Sequence, residues 1–157
     1  MIPIMEKKIH DADNYKKGFH MLRLYSKGCE YTLRALICLA ARDGGKHMTV
    51  RDVCRQARIP EASTRKMLQH LVREGLLRAV SGPGGGYQLR CVPNTVRIFR
   101  IITMVDGAHA MDRCVLGLAA CNKQSPCTLH ATLTRSRSLL LSELKSETLK
   151  ELCQRAI

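Results

Sequence analysis

From Ser26 onward apolar positions recur at helical spacing; before it they show no sustained period. Ser26 can cap a helix running to about Arg42, with Tyr31, Ala35, Leu36, Leu39 and Ala40 as its inward stripe and Asp43-Gly44-Gly45 as its end. Thr49 opens a shorter helix, with Asp52 as a partial capping box, that turns Val50, Val53, Cys54 and Ala57 inward until Ile59-Pro60-Glu61 breaks it. A third helix is expected from about Ala62 to Glu74, facing the core with Met67, Leu68, Leu71 and Val72 and stopped by Gly75. Its outer face carries Ser63, Arg65, Lys66, Gln69, His70 and Arg73. The period then changes. Residues 76–80 and 87–91 alternate like short strands around Ser81-Gly82-Pro83-Gly84-Gly85-Gly86.

After Pro93, Thr95 is expected to cap a helix through Asp106, with Val96, Phe99, Ile102 and Val105 at helical spacing and Gly107 closing it. A longer helix is expected from Pro126, with Ser125 as N-cap, to about Lys145. Leu129, Leu133, Leu140 and Leu144 form its stripe, and Leu139 and Leu141 widen the apolar surface beyond what one short domain covers. Such a helix suits a dimer interface, or a core helix in the plainer reading. Ser146 and Glu147 should start a last short helix bearing Leu149 and Leu152.

These elements define a mostly α chain. Two helices joined by a tight connection describe a helix-turn-helix, and a hairpin placed directly after the second makes it a winged helix. The glycine-rich hairpin loop lacks the Lys-Ser/Thr ending of a P-loop and the strand-to-helix setting of a dinucleotide fingerprint, so nucleotide binding is set aside. The layout expected is a flexible extension at 1–20, a winged helix-turn-helix with a small β-hairpin wing at 21–93, and at 94–157 a helix, a cysteine loop and a long C-terminal dimerisation helix. The extension could also reflect a start codon upstream of a true initiator Met21.

Charge gives that architecture its partner. The 157 residues carry a formal +13: 13 basic against 5 acidic groups in 21–93, 9 against 5 in 94–157, and 4 against 3 in the first 20. A solvated basic face would account for the count alone, and charge does not separate DNA from RNA or lipid. The winged helix does, and double-stranded DNA is the partner expected. The helix from Ala62 would enter the major groove with Ser63, Arg65 and Lys66 nearest the bases and Gln69 and Arg73 nearer the backbone. Lys27, Thr49 and the wing amides of Gly84, Gly85 and Gly86 would hold phosphates. No apolar run is long enough for a bilayer and no signal-peptide core opens the chain, so a cytoplasmic protein without membrane contact is expected.

Chemistry is concentrated in Arg113 to His130, RCVLGLAACNKQSPCTLH. Six and then five residues separate Cys114, Cys121 and Cys127, and His130 follows at i+3. On the expected helix Cys127 and His130 would share the first turn, where the helix dipole favours a thiolate. Gly117, Ala119 and Ala120 let backbone fold closely around an inorganic centre. A Cys3His set suits structural zinc, although zinc modules more often bring ligands in pairs two to four residues apart. Spacing alone leaves iron-sulfur and zinc open. The remaining cysteines, Cys29, Cys38, Cys54, Cys91 and Cys153, read mostly as small core residues, and eight cysteines in a reducing compartment argue against a disulfide framework.

Taken together, Tyr25-Ser26-Lys27-Gly28-Cys29-Glu30-Tyr31, Gly75-Leu76-Leu77, the wing from Gly82 to Tyr87, Val105-Asp106-Gly107, Cys114-Val115-Leu116-Gly117 and Pro126-Cys127-Thr128-Leu129-His130 resemble the IscR and NsrR type of winged-helix transcriptional regulators, the Rrf-two family. The resemblance covers about Met21 to Leu152. It implies no enzyme but a cytoplasmic homodimer on a palindromic operator, most simply a repressor, with an iron-sulfur cluster on Cys114, Cys121 and Cys127 whose loss, oxidation or nitrosylation changes DNA affinity. It further implies His130 as fourth ligand, with Glu30 of the first helix as the rival; a 2Fe-2S cluster is favoured, and the six-residue first gap leaves 4Fe-4S open. The chain departs from the family at Ser81, where Arg is frequent, in the six-residue first gap, and at Leu133 in place of an aromatic. Two alternatives stand beside this reading: a zinc- or thiol-disulfide-dependent regulator on the same fold, and an iron-sulfur electron carrier, which the basic winged helix disfavours.

Overall fold

The computed structural model describes residues 24–42, 46–109 and 121–156, and within the intervening loop residues 111, 112, 114, 116 and 118. The proposed extension at 1–20, Met21 and the Asp43-Gly44-Gly45 stop lie outside them.

Helix α1 (Lys27–Ala40) starts where the sequence places it, because Ser26 Oγ accepts from the Cys29 N–H. Cys29, Leu33, Ala35, Leu36, Cys38 and Leu39 are buried on it, while Tyr31 and Ala40 are only half-buried. It is the hub of the fold: α2 (Val50–Ala57), α3 (Glu61–Arg73), α4 (Ile98–Asp106) and α6 (Leu149–Ala156) all lie against it. One hydrophobic core runs through Leu36, Val53, Leu68, Leu71, Leu76, Ile101, Ile102 and Leu149, so apolar residues from both sides of position 93 share it.

Thr49 caps α2 by accepting from the Asp52 N–H at 3.1 Å, and its hydroxyl donates to the Asp52 carboxylate at 2.8 Å. The α2 end falls on Arg58, the one non-glycine residue with positive φ among those described (φ 53°). A left-handed arginine costs about 1 kcal/mol. Arg58→Gly should therefore stabilise the chain by up to about 1 kcal/mol, seen as a higher thermal midpoint, with loss of the midpoint as the contrary result.

Strands β1 (Leu77–Val80) and β2 (Gly86–Leu89) form the expected antiparallel hairpin, with Leu77 opposite Leu89 and Val80 opposite Gly86. The wing is also anchored on its other side. Met48 and Tyr87 exchange two backbone hydrogen bonds of 2.9 and 2.8 Å, and His47 Nε2 lies 2.9 Å from the Gly84 carbonyl oxygen.

The C-terminal half departs from expectation in three places. Thr95 ends a 3-10 turn (Pro93–Thr95), its hydroxyl donating to the Val92 carbonyl, and α4 begins only at Ile98. The face α4 buries is Ile98, Ile101 and Ile102, while Phe99 and Val105 stay half-buried; Val96 is buried ahead of the helix. Helix α5 (His130–Ser146) begins four residues after Pro126. Asn122 is the reason: its side-chain oxygen accepts from the N–H groups of Gln124 and Ser125, and its own N–H donates to the Ser125 carbonyl, so a closed turn holds Ser125 and no cap forms there. Finally, α6 is capped by Thr148 and Glu151, a full capping box, and not by Ser146 and Glu147. No residue of α5 is buried; Leu139 and Leu140 are exposed on it, while Leu141 and Leu144 reach the core.

Candidate functional site

Three thiols grouped in the sequence also come together in space. The Sγ atoms of Cys114, Cys121 and Cys127 lie within 4.8 Å of one another, and Cys114 and Cys127 are 3.8 Å apart. His130, the first residue of α5, puts Nδ1 3.3 Å from Cys121 Sγ. Cys127 is not on the helix: it precedes α5, and its carbonyl accepts from the His130 N–H at 3.0 Å. The pocket is lined by these four residues with Asp112, Leu133, Thr134 and Arg137. Glu30 is not among them. It lies on α1, paired to Lys27 at 2.6 Å and to Arg34 at 3.6 Å.

One of the site's thiols, Cys114, differs from the core ones. Burial pushes Cys29 up to about 12, with the nearby Asp106 charge adding to the shift, and burial also raises Cys38, Cys54 and Cys153. Cys114 goes the other way, held down chiefly by the backbone N–H of Leu118. At Cys121 the backbone N–H of Cys127 favours the thiolate, but desolvation and the adjoining Cys127 and Cys114 sulfurs outweigh it, and the net shift is upward. The donors fit a soft metal. Sulfurs 2.3 Å from one tetrahedral ion lie about 3.8 Å apart, the separation of Cys114 and Cys127.

On α3, Ser63, Arg65, Lys66, Gln69 and Arg73 are all exposed while Thr64, Leu68 and Leu71 are buried, so the outer face expected there forms as one surface. Arg65 is paired to Glu61 at 2.7 Å, an exposed contact of little weight. His70 does not join that face. It is half-buried, with Nε2 2.7 Å from the Met104 carbonyl oxygen of α4. Lys27 is exposed, and the Thr49 hydroxyl is already engaged in its cap. In the wing, Gly84 is exposed at φ +75°, whereas the Gly85 N–H is donated to Gly82 and Gly86 lies tight against Met48. The sequence reading missed Asp112, Thr134 and Arg137. Arg137 stands seven residues, two helical turns, beyond His130, a spacing that the helix expected from Pro126 to Lys145 already contained.

A winged helix in one chain with a three-thiol pocket at the head of α5 defines a DNA-binding regulator with a candidate metal or thiol site. The chain belongs to the Rrf2 family, iron-dependent transcriptional regulators, which matches residues 25–155. The family's members are transcriptional regulators that bind DNA, not enzymes. The HTH-type transcriptional regulator IscR of Escherichia coli is 28% identical over 131 residues, 83% of this chain and 80% of that one. In fold, the chain is similar to CymR (YrzC), the global cysteine regulator of B. subtilis, at TM-score 0.68 and 21% identity, covering 85% of this chain and 98% of that one. It is also similar to T. potens IscR, at TM-score 0.66 and 20% identity, covering 87% and 89%. No helix among the described residues is long and apolar enough to cross a membrane.

Proposed function

We propose that this chain is a cytoplasmic, homodimeric repressor that binds a palindromic operator and whose affinity is set by a 2Fe-2S cluster on Cys114, Cys121, Cys127 and His130. The observation carrying this reading is the convergence of three sulfurs within 4.8 Å. The close pairs, Cys114 with Cys127 and Cys121 with His130, suit the two protein ligands that each iron takes. Bound there, the cluster would supply a centre whose charge changes on reduction and which iron shortage, nitric oxide or oxidants disturb. The rest is done by the chain. Helix α4 leads directly into the cysteine loop, and its last turn holds both sides of the reading domain. Asp106 accepts from the Ser26 N–H and hydroxyl at the head of α1, and the Met104 carbonyl meets His70 of α3. A loop rearrangement would thus reach α3 through the His70 contact and the head of α1 through Asp106. The exposed Leu139 and Leu140 of α5 support the dimer.

A zinc-dependent regulator is the second reading, favoured by the 3.8 Å sulfur separation. Anaerobic purification with iron, sulfide and zinc analysis, followed by operator binding with and without the centre, separates the two. Matched iron and sulfide with unequal affinities is the result expected; equal affinities would remove the regulatory role. Arg65→Ala should cost about 1–3 kcal/mol on the operator and relax preference at one base pair per half-site. An equal loss on random DNA would count against base reading by α3.

A further inference from the structure

Two charged side chains line the cysteine pocket without being needed as ligands: Arg137 and Asp112. Arg137 reaches it from α5, where His130, Leu133, Thr134 and Arg137 follow the i, i+3, i+4, i+7 spacing of one helix face. Asp112 reaches it from the loop after α4, two residues before Cys114, and His109 Nδ1 lies 2.9 Å from its carboxylate. The two differ in their contact with water: Arg137 is half-buried, whereas the Asp112 side chain is 62% exposed. A charge beside an iron-sulfur centre favours one oxidation state over the other, and water weakens the effect.

We propose that Arg137 sets the reduction potential of the centre held in this pocket, with Asp112 opposing it more weakly. The inference rests on the cluster reading above. The step is the gain of one electron from a one-electron donor, such as dithionite or a small electron-transfer protein, by one ferric ion that becomes ferrous; no bond to the protein forms or breaks. The reduced centre carries one more negative charge, so the guanidinium stabilises it relative to the oxidised centre and the carboxylate does the reverse. Arg137 is accordingly a tuning residue, not a ligand, and its effect must follow charge.

The test is a dithionite titration, with mediators, of the anaerobically purified full-length protein in wild type, R137K, R137Q, R137E and D112N forms, read by absorbance. At the wild-type midpoint, R137Q should lower the reduced-to-oxidised ratio about tenfold, equivalent to 59 mV for one electron, and R137E further. R137K should stay near wild type, and D112N should shift the ratio upward by less than R137Q shifts it down. A series at position 137 that does not order by charge overturns the proposal, as does a D112N shift of the same sign as R137Q. Should R137Q shed its cluster, R137K and D112N decide, since each must still give its stated result. A brown protein with flat potentials defeats this inference alone; a colourless zinc protein defeats it together with the cluster reading.

Discussion

Cys127→Ser should purify with less than about a tenth of the wild-type metal and, in the absence of metal, with an unchanged thermal midpoint. Cys127 Sγ lies 3.8 Å from Cys114 Sγ, and a serine hydroxyl is a poor substitute for a thiolate toward iron or zinc. Loss of a partner merely hydrogen-bonded to a ligand already costs about 10–100-fold in metal affinity, so loss of a ligand sets that range as a floor. The fold is spared because Cys127 lies in the loop ahead of α5, outside the hydrophobic core. Cys29→Ser supplies the control. Cys29 is fully buried with its thiol pushed up to about 12, so that variant should lose stability and keep its metal. A C127S protein carrying a full complement of metal would remove Cys127 from the ligand set. Operator affinity adds a second reading: C127S should match wild type stripped of its centre.

The largest loss of stability is expected from Gly86→Ala, about 3 kcal/mol. A Cβ at Gly86 would sit 2.1 Å from the Met48 carbonyl oxygen, 2.4 Å from its carbon and 2.8 Å from the Thr49 nitrogen. All three are backbone atoms, so no side-chain rotation relieves the clash. The wing has to separate from residue 48, breaking the paired Met48 and Tyr87 hydrogen bonds and uncovering Met48, which is 2% exposed. Lost hydrogen bonds and opened core packing together place the variant in the upper range of single substitutions. Gly84→Ala is the comparison. Nothing lies within 4 Å of its Cβ, and only the positive φ of 75° opposes it, so about 1 kcal/mol is expected. Urea unfolding of both variants measures the difference; a G86A protein as stable as G84A would show that the wing is not anchored at residue 48.

The two glycines also show how far the sequence reached. The run from Gly82 to Gly86 signalled a hairpin, but its glycines serve different needs: Gly84 a left-handed backbone, Gly86 the close approach of Met48, far earlier in the chain. His70 is similar. Periodicity put it on the outer face of α3, and only the arrival of α4 drew it into a contact with Met104.

Local chemistry wrote the helices, their Ser26 and Thr49 caps, the hairpin and the basic face of α3 into the sequence, because each depends on neighbours at most about a dozen residues away. The same locality misplaced the start of α5, where Ser125 and Pro126 offered a plausible cap and the Asn122 turn consumed it. Spacing also named the cysteines as a group. Which sulfurs pair, that His130 meets Cys121, and that Arg137 and Asp112 share their pocket were decided by the tertiary structure alone, since these depend on how the loop after α4 closes against α5. Distances across a closed loop are set by what packs on either side of it, and no period along the chain encodes them.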